Sequence, residues 1–261
     1  KKNLQIGTFR QIGFMNYLIV GASSGLGRDL AYKFAENSNN LILVSRDERD
    51  LKVLKSDIET KFNTQVKTYS VDCSSHDKVN DFINSSTEVF NKLDGAFFPI
   101  GMIFEDDTIE NKITKTNELI QANYGVVAHM VSELIKIFEE KNSGVIVGFG
   151  SISAYLGREV NTGYSASKRA LESLFESLAL STIKKKINIQ FYVLGYLESN
   201  MTFGRKLILP KGSTKNLANV VFKNIGKKYK KIYFPFWWGF ISYVLRILPF
   251  TLIERLIKFI K

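Results

Sequence analysis

Short apolar runs alternate with longer stretches of helical spacing along most of this chain. Tyr17–Val20, Leu41–Val44, Val66–Val71, Gly95–Phe98, Val145–Phe149, Ile187–Val193 and Lys231–Phe234 read as strands. Helical spacing runs from the glycine-rich turn after Val20 to about Asn37, then over Glu48–Phe62, His76–Phe90, Thr114–Glu140, Tyr164–Ile183 and Leu217–Ile225. Strands that are apolar throughout are buried on both faces, and helical connections between them make parallel neighbours. The pattern predicts an α/β fold: a doubly wound, Rossmann-like parallel sheet of about seven strands, helices on both faces and a C-terminal helical extension.

Composition narrows the chemistry. The chain has 261 residues, 45% hydrophobic and 23% charged, which excludes disorder as its main state. One cysteine, Cys73, permits no internal disulfide, and with two histidines no His/Cys zinc site can be assembled. The net charge of +11 is unevenly placed: Lys211–Lys261 carries 11 of the 36 basic residues and one acid, Glu254. A nearly neutral body therefore carries a basic tail. The body offers no basic groove for nucleic acid. At the other end, Leu4–Phe14 is broken by polar residues and glycines, so it does not read as a signal peptide; residues 1–14 are treated as an extension with no assigned role.

Two motifs carry chemistry. Gly21-Ala-Ser-Ser-Gly25-Leu-Gly27 lies between the first strand and the first helix. Small residues there let the backbone approach a pyrophosphate, and a helix N-terminus supplies N–H donors. Tyr164 and Lys168 stand at i and i+4 on a predicted helix, so phenol and ammonium share a face. A phenol near its reference pKa of about 10 exchanges protons poorly at neutral pH, and a neighbouring cation pulls that value down. Ser151, thirteen positions before Tyr164, follows a buried strand and can polarise a carbonyl oxygen. At the end of the second strand, Ser45 stands where NAD users place an acid, and Arg46 follows it. A hydroxyl with a guanidinium suits a 2′-phosphate, which favours NADP(H) over NAD.

With these motifs in order, residues from about Asn16 to Thr202 resemble the classical short-chain dehydrogenase/reductase family. The resemblance implies a cofactor turn at Gly21, Ser23, Ser24, Gly25, Leu26 and Gly27, with Asp72 and neighbouring Cys73 on the adenine side. It implies Ser151, Tyr164 and Lys168 as the catalytic set, with Asn123 holding a water in the proton relay. Tyr164 would act as general acid/base, Lys168 would lower its pKa and hold the nicotinamide ribose, and Ser151 would polarise the carbonyl. Leu194-Gly195-Tyr-Leu-Glu-Ser199 would close over the nicotinamide, Gly195 and Ser199 touching the cofactor. Two departures stand out. The family's Asn-Asn-Ala-Gly is Phe98-Pro-Ile-Gly101 here, only Gly101 surviving, and its Pro-Gly is Leu194-Gly195.

The expected organisation is an extension (1–14), a dinucleotide-binding catalytic domain (15–235, with a substrate loop at 195–215) and an aromatic, basic C-terminal segment (236–261). Pro235 and Pro249 bound an apolar run of 13 residues interrupted by Arg246, too short for a span of about 20. Beyond it Leu252, Ile253, Leu256, Ile257 and Ile260 follow helical spacing, with Arg255, Lys258 and Lys261 on other faces. Together with Lys227, Lys228, Lys230 and Lys231 this fits an in-plane membrane anchor. The expected protein is thus an NADPH- or NADP-dependent oxidoreductase interconverting a ketone and a secondary alcohol on an apolar or lipid-linked substrate, cytoplasmic and peripherally membrane-associated. The alternatives are a soluble substrate with the tail serving a homo-oligomer, and a non-catalytic NADP-binding sensor.

Overall fold

The structure is a computed structural model that describes residues 15–105, 107–108, 110, 113–157, 160–198, 209–249, 251–252 and 254–255. In chain order it runs β1 (Asn16–Val20), α1 (Gly25–Ala35), β2 (Asn40–Ser45), α2 (Glu48–Lys61), β3 (Val66–Ser70), α3 (His76–Ser85), α4 (Thr87–Phe90), β4 (Gly95–Phe98), α5 (Ile113–Ile120), α6 (Val126–Glu140), β5 (Gly144–Ser151), α7 (Thr162–Ser181), β6 (Ile187–Leu194), α8 (Thr214–Asn224), β7 (Lys230–Phe234) and α9 (Trp238–Ile247). The strands form one parallel sheet in the order β3-β2-β1-β4-β5-β6-β7. The order reverses between β1 and β4, where a doubly wound sheet opens a crevice beyond its strand C-termini.

Alternation along the strands sorts the core into two layers. Tyr17 and Ile19 of β1 point with Leu30 and Phe34 of α1, Leu51 and Leu54 of α2 and Leu217 of α8. Leu18 and Val20 point the other way, with Val79 of α3, Phe90 of α4, Val127 and Met130 of α6, and Leu171 and Phe175 of α7. Each fully buried side chain of this size contributes roughly 1.5–3 kcal/mol, so both faces hold the sheet.

Where the spacing predicted single helices, two are interrupted. His76–Phe90 divides at Ser86 into α3 and α4. Thr114–Glu140 is broken by a π turn over Gln121–Gly125, at the residues around Asn123. Side-chain periodicity survives such one-residue slips, so the pattern could not register them. Residues 251–252 and 254–255 are helical as expected; Ile253, Leu256, Ile257, Lys258, Ile260 and Lys261 lie outside the described residues.

Candidate active site

The crevice wall on the β1 side is made of backbone. After Val20 the amides of Gly21 and Ala22 both donate to the Val44 carbonyl, at 2.8 and 3.1 Å. Gly21 has φ +95°, and a Cβ there would sit 2.9 Å from the Ile100 Cα. A Cβ on Gly27 would collide with the Gly21 carbonyl. Only glycine lets α1 start this close to β1. Asp47, Ser75 and Ser213 cap α2, α3 and α8 with their side chains, whereas Ser24, at the same position before α1, makes no such bond. The first amides of α1 are thus left without a side-chain cap at the mouth of a glycine-walled cradle, and that donor set fits a pyrophosphate.

Ser45 ends β2, and its hydroxyl meets that of Ser23 at 2.7 Å, joining the glycine turn to the second strand. Arg46 is exposed beside it. The carboxylate that follows, Asp47, is committed to the Asp50 amide at the start of α2. After β3, Asp72 accepts from the hydroxyl of Ser74 at 2.7 Å and from its amide at 3.1 Å. The Ser74 hydroxyl leads in holding that carboxyl below its usual range. Cys73 is buried, which pushes its thiol up to about 12, so it behaves as a small neutral side chain.

The crevice wall on the β5 side carries the titratable groups. Lys168 is buried within α7 and donates to the carbonyls of Ile100 at 3.0 Å and Phe149 at 3.1 Å. An ammonium has three hydrogens, so one is left for a ligand or for Tyr164, whose ring centroid lies 6.0 Å away. Burial lowers the Lys168 pKa to about 8. Its anchor at Phe149 is two residues before Ser151, which ends β5 and accepts from the Ser153 amide at 3.1 Å, opening a 3-10 turn over Ile152–Tyr155. Asn123, fully buried, accepts from the Met102 amide at 2.6 Å and donates to the Met102 carbonyl at 2.9 Å and Ser167 Oγ at 3.1 Å. It fastens the loop after β4, next to Gly101, onto the helix that bears Tyr164 and Lys168. The Phe98–Gly101 departure is thereby explained in part: Ile100 serves through its backbone, as carbonyl to Lys168 and as the surface against Gly21.

Asp107 is a residue that the spacing gave no reason to single out. It is buried, and its two carboxylate oxygens accept from the amides of Gly163 and Tyr164, each at 2.9 Å, and from the Thr162 hydroxyl at 3.1 Å. Asn161, in the cap position of α7, is left-handed (φ 63°) and makes no side-chain cap. The cap of α7 comes instead from a loop far back in sequence, joined to the segment before that helix by a bridge between Thr108 and Val160. An acid in a loop six residues before the next helix carries no local signature of capping a different one. Asn161, of a residue type that caps helices, gives no sign in the sequence that the cap comes from elsewhere.

Over the crevice, Gly195 donates to the Phe234 carbonyl at 2.9 Å. Trp238 of α9 packs on Gly195, where a Cβ would strike the indole, and meets Tyr196 edge-on at 5.3 Å. The stem of the 195–215 loop is closed by Gly212 to Tyr196 (2.8 Å) and Glu198 to Gly212 (2.9 Å). Ser199 and residues 200–208 lie outside the described residues. Lys231 corrects the expectation for the tail: rather than joining a surface cluster, it is paired with Glu172 and Glu176, both at 2.6 Å. Arg246 likewise reaches Glu172 at 2.9 Å. No helix among the described residues is long and apolar enough to cross a membrane.

The comparisons agree with this architecture. Residues 16–206 match the short chain dehydrogenase family. The chain is 28% identical over 254 residues to the 11-beta-hydroxysteroid dehydrogenase-like 2 of Arabidopsis thaliana, covering 93% of this chain and 80% of that one. It is 26% identical over 224 residues to a very-long-chain 3-oxoacyl-CoA reductase of Vanderwaltozyma polyspora, covering 82% of this chain and 64% of that one. Among solved structures, a short-chain dehydrogenase from Sphingobium yanoikuyae in complex with NADPH superposes with a TM-score of 0.77 at 19% identity, covering 85% of this chain and 88% of that one. Motif order, sheet order and family match coincide, and the chain belongs to the short-chain dehydrogenase/reductase family, oxidoreductases that act on hydroxyl and keto groups.

Proposed function

We propose that this protein interconverts a ketone and a secondary alcohol with NADP(H), on an apolar or lipid-linked substrate at a membrane surface. The observation that carries the chemistry is the buried Lys168, tethered by two carbonyls and turned toward the Tyr164 ring. NADP(H), when bound, supplies or takes the hydride. Tyr164 gives or takes the proton at the substrate oxygen, and the Lys168 ammonium favours its phenolate form. The Ser151 hydroxyl donates to the same oxygen as charge develops there. Asn123 keeps the loop after β4 against α7, and Met102 and Ser167 take three of the four hydrogen bonds that its side-chain amide can make.

The 2′-phosphate is assigned to the Ser23–Ser45 hydroxyl pair with Arg46 beside it, the Asp47 carboxylate being turned to the Asp50 amide. The substrate class rests on α9. Phe240, Tyr243 and Ile247 are 74, 63 and 62% exposed, at a spacing that puts them along one side of the helix, and Phe236 in the turn before it is 82% exposed. An apolar groove of about 400 Å³ lies between Leu209 and Pro210 of the substrate loop and Trp237, Phe240 and Ile241. The names of the two relatives given above, a hydroxysteroid dehydrogenase and a very-long-chain oxoacyl reductase, point to substrates of this kind. Flotation with phosphatidylserine/phosphatidylcholine vesicles tests the surface. The intact protein should float with them, and a Phe240→Glu variant should not; failure of the intact protein to bind removes the membrane from the reading.

A further inference from the structure

Behind the catalytic groups lies a cluster of charges that the reaction itself does not use. Glu172 stands one helical turn beyond Lys168 on α7, and its side chain is 7% exposed. A single oxygen, Oε1, accepts from the Tyr155 hydroxyl at 2.8 Å, Lys231 Nζ at 2.6 Å and an Arg246 nitrogen at 2.9 Å. The Arg246 guanidinium also lies over the Tyr155 ring, 4.3 Å from its centroid. The Tyr155 hydroxyl approaches that of Tyr233 at 3.4 Å. Burial, then Tyr233 and Glu172, push the Tyr155 pKa up, so it remains a phenol and a donor.

These five residues come from four elements. Glu172 belongs to the helix of Tyr164 and Lys168. Tyr155 ends the 3-10 turn that Ser151 opens. Lys231 and Tyr233 belong to β7, and Arg246 to the last turn of α9. A buried carboxylate with several charge-assisted donors holds its partners to a narrow geometry. The turn from Ser151 to Tyr155 is thus fixed at both ends, by the sheet at Ser151 and by Glu172 at Tyr155. Two of the three donors that meet Glu172 come from β7 and from α9 of the C-terminal segment.

We propose that Glu172 is a positioning residue for the reaction: gripped by Lys231 and Arg246, it holds Tyr155 and the turn behind it, and so keeps the Ser151 hydroxyl in register with Tyr164 and Lys168. The C-terminal helix thereby sets the geometry of the catalytic serine without touching the substrate. This rests on the catalytic roles assigned above to Ser151, Tyr164 and Lys168.

The test uses the full chain with Tyr155→Phe, which keeps the ring and loses only the hydroxyl, and with Arg246→Met and Arg246→Lys. Amide exchange over Ile152–Tyr155 reads the link without any turnover, and the Ser153 amide that donates to Ser151 is its reporter. Exchange there should quicken roughly tenfold in Tyr155→Phe and Arg246→Met, with exchange in the β1 and β2 strands unchanged. Reduction of phenanthrenequinone by NADPH reads the consequence. In both variants kcat should fall roughly tenfold while the quinone KM and the NADPH Kd hold within about twofold, and Arg246→Lys should recover most of the loss. Unchanged exchange over 152–155 overturns the proposal, as does a kcat loss that merely follows the folded fraction. Retained turnover in Tyr164→Phe would instead overturn the catalytic roles, while the exchange readout still judges whether Glu172 holds the turn.

Discussion

The two halves of the sheet build their parts of the crevice by different means. Around β1, β2 and β3 the wall is backbone, small side chains and local turns: Gly21 and Gly27 pressed together, Ser23 against Ser45, and Asp72 bound by its neighbour Ser74. Around β4 to β7 the wall is made of polar and charged side chains, each held by a partner on another element. Lys168 is held by Ile100 and Phe149, α7 by Asp107, and Tyr155 by Glu172. A backbone wall recognises a phosphate by close approach, whereas proton transfer needs side chains fixed to within fractions of an ångström. Damage to the first half should therefore appear in cofactor binding, and damage to the second in turnover.

Tyr164→Phe gives the largest separation. Loss of the phenolic proton should lower kcat by roughly 10²–10⁴-fold, with NADPH affinity, followed by its fluorescence, unchanged. A parallel loss of affinity would erase the distinction between the halves.

Lys168 comes next, through pH. Its folded pKa of about 8 lies below the ordinary 10.5. Between those values the unfolded chain binds more protons than the folded one, so stability rises with pH across that window. Below pH 8 the cost of the buried ammonium is present in full, about 3 kcal/mol by the size of the shift. Denaturant titrations from pH 7 to 10 should show this rise, and Lys168→Met should lack it. Turnover moves the opposite way, since the cation that favours the Tyr164 phenolate is lost as pH passes about 8. Stability and activity that climb together would contradict the role given to Lys168.

Asp107→Ala should cost about 1–3 kcal/mol, because the amides of Gly163 and Tyr164 lose their acceptor at the start of a buried helix. Thermal unfolding measures that loss, and kcat should fall with little change in NADPH affinity. This residue also marks the limit of what periodicity and motif spacing disclose. The strand positions, the glycine turn before α1 and the i, i+4 placement of Tyr164 and Lys168 on α7 are local patterns, and the structure carries each. The cap by Asp107, the capture of Lys231 and Arg246 by Glu172, and the seat of Trp238 on Gly195 join residues tens of positions apart. A lysine in a basic run looks the same whether it faces solvent or a buried carboxylate, which is why Lys231 was misplaced with the surface cluster.

The smallest effect belongs to the nucleotide half. Ser45→Asp puts a carboxylate beside Ser23 and Arg46, where the reading places the 2′-phosphate. Two negative groups would then meet at one site, while a ribose 2′-hydroxyl would gain an acceptor. The ratio of kcat/KM for NADPH over NADH should fall about tenfold, near 1.4 kcal/mol. The kcat with NADH should stay unchanged, because nothing around Lys168 or Ser151 has moved. A fall in kcat with both cofactors would mean that the Ser23–Ser45 contact also braces the glycine turn against Ile100, and so reaches Lys168 through that carbonyl. The two halves would then share one mechanical element. An unchanged ratio would leave Arg46 as a solvated surface residue and remove the physical basis for preferring the phosphorylated cofactor.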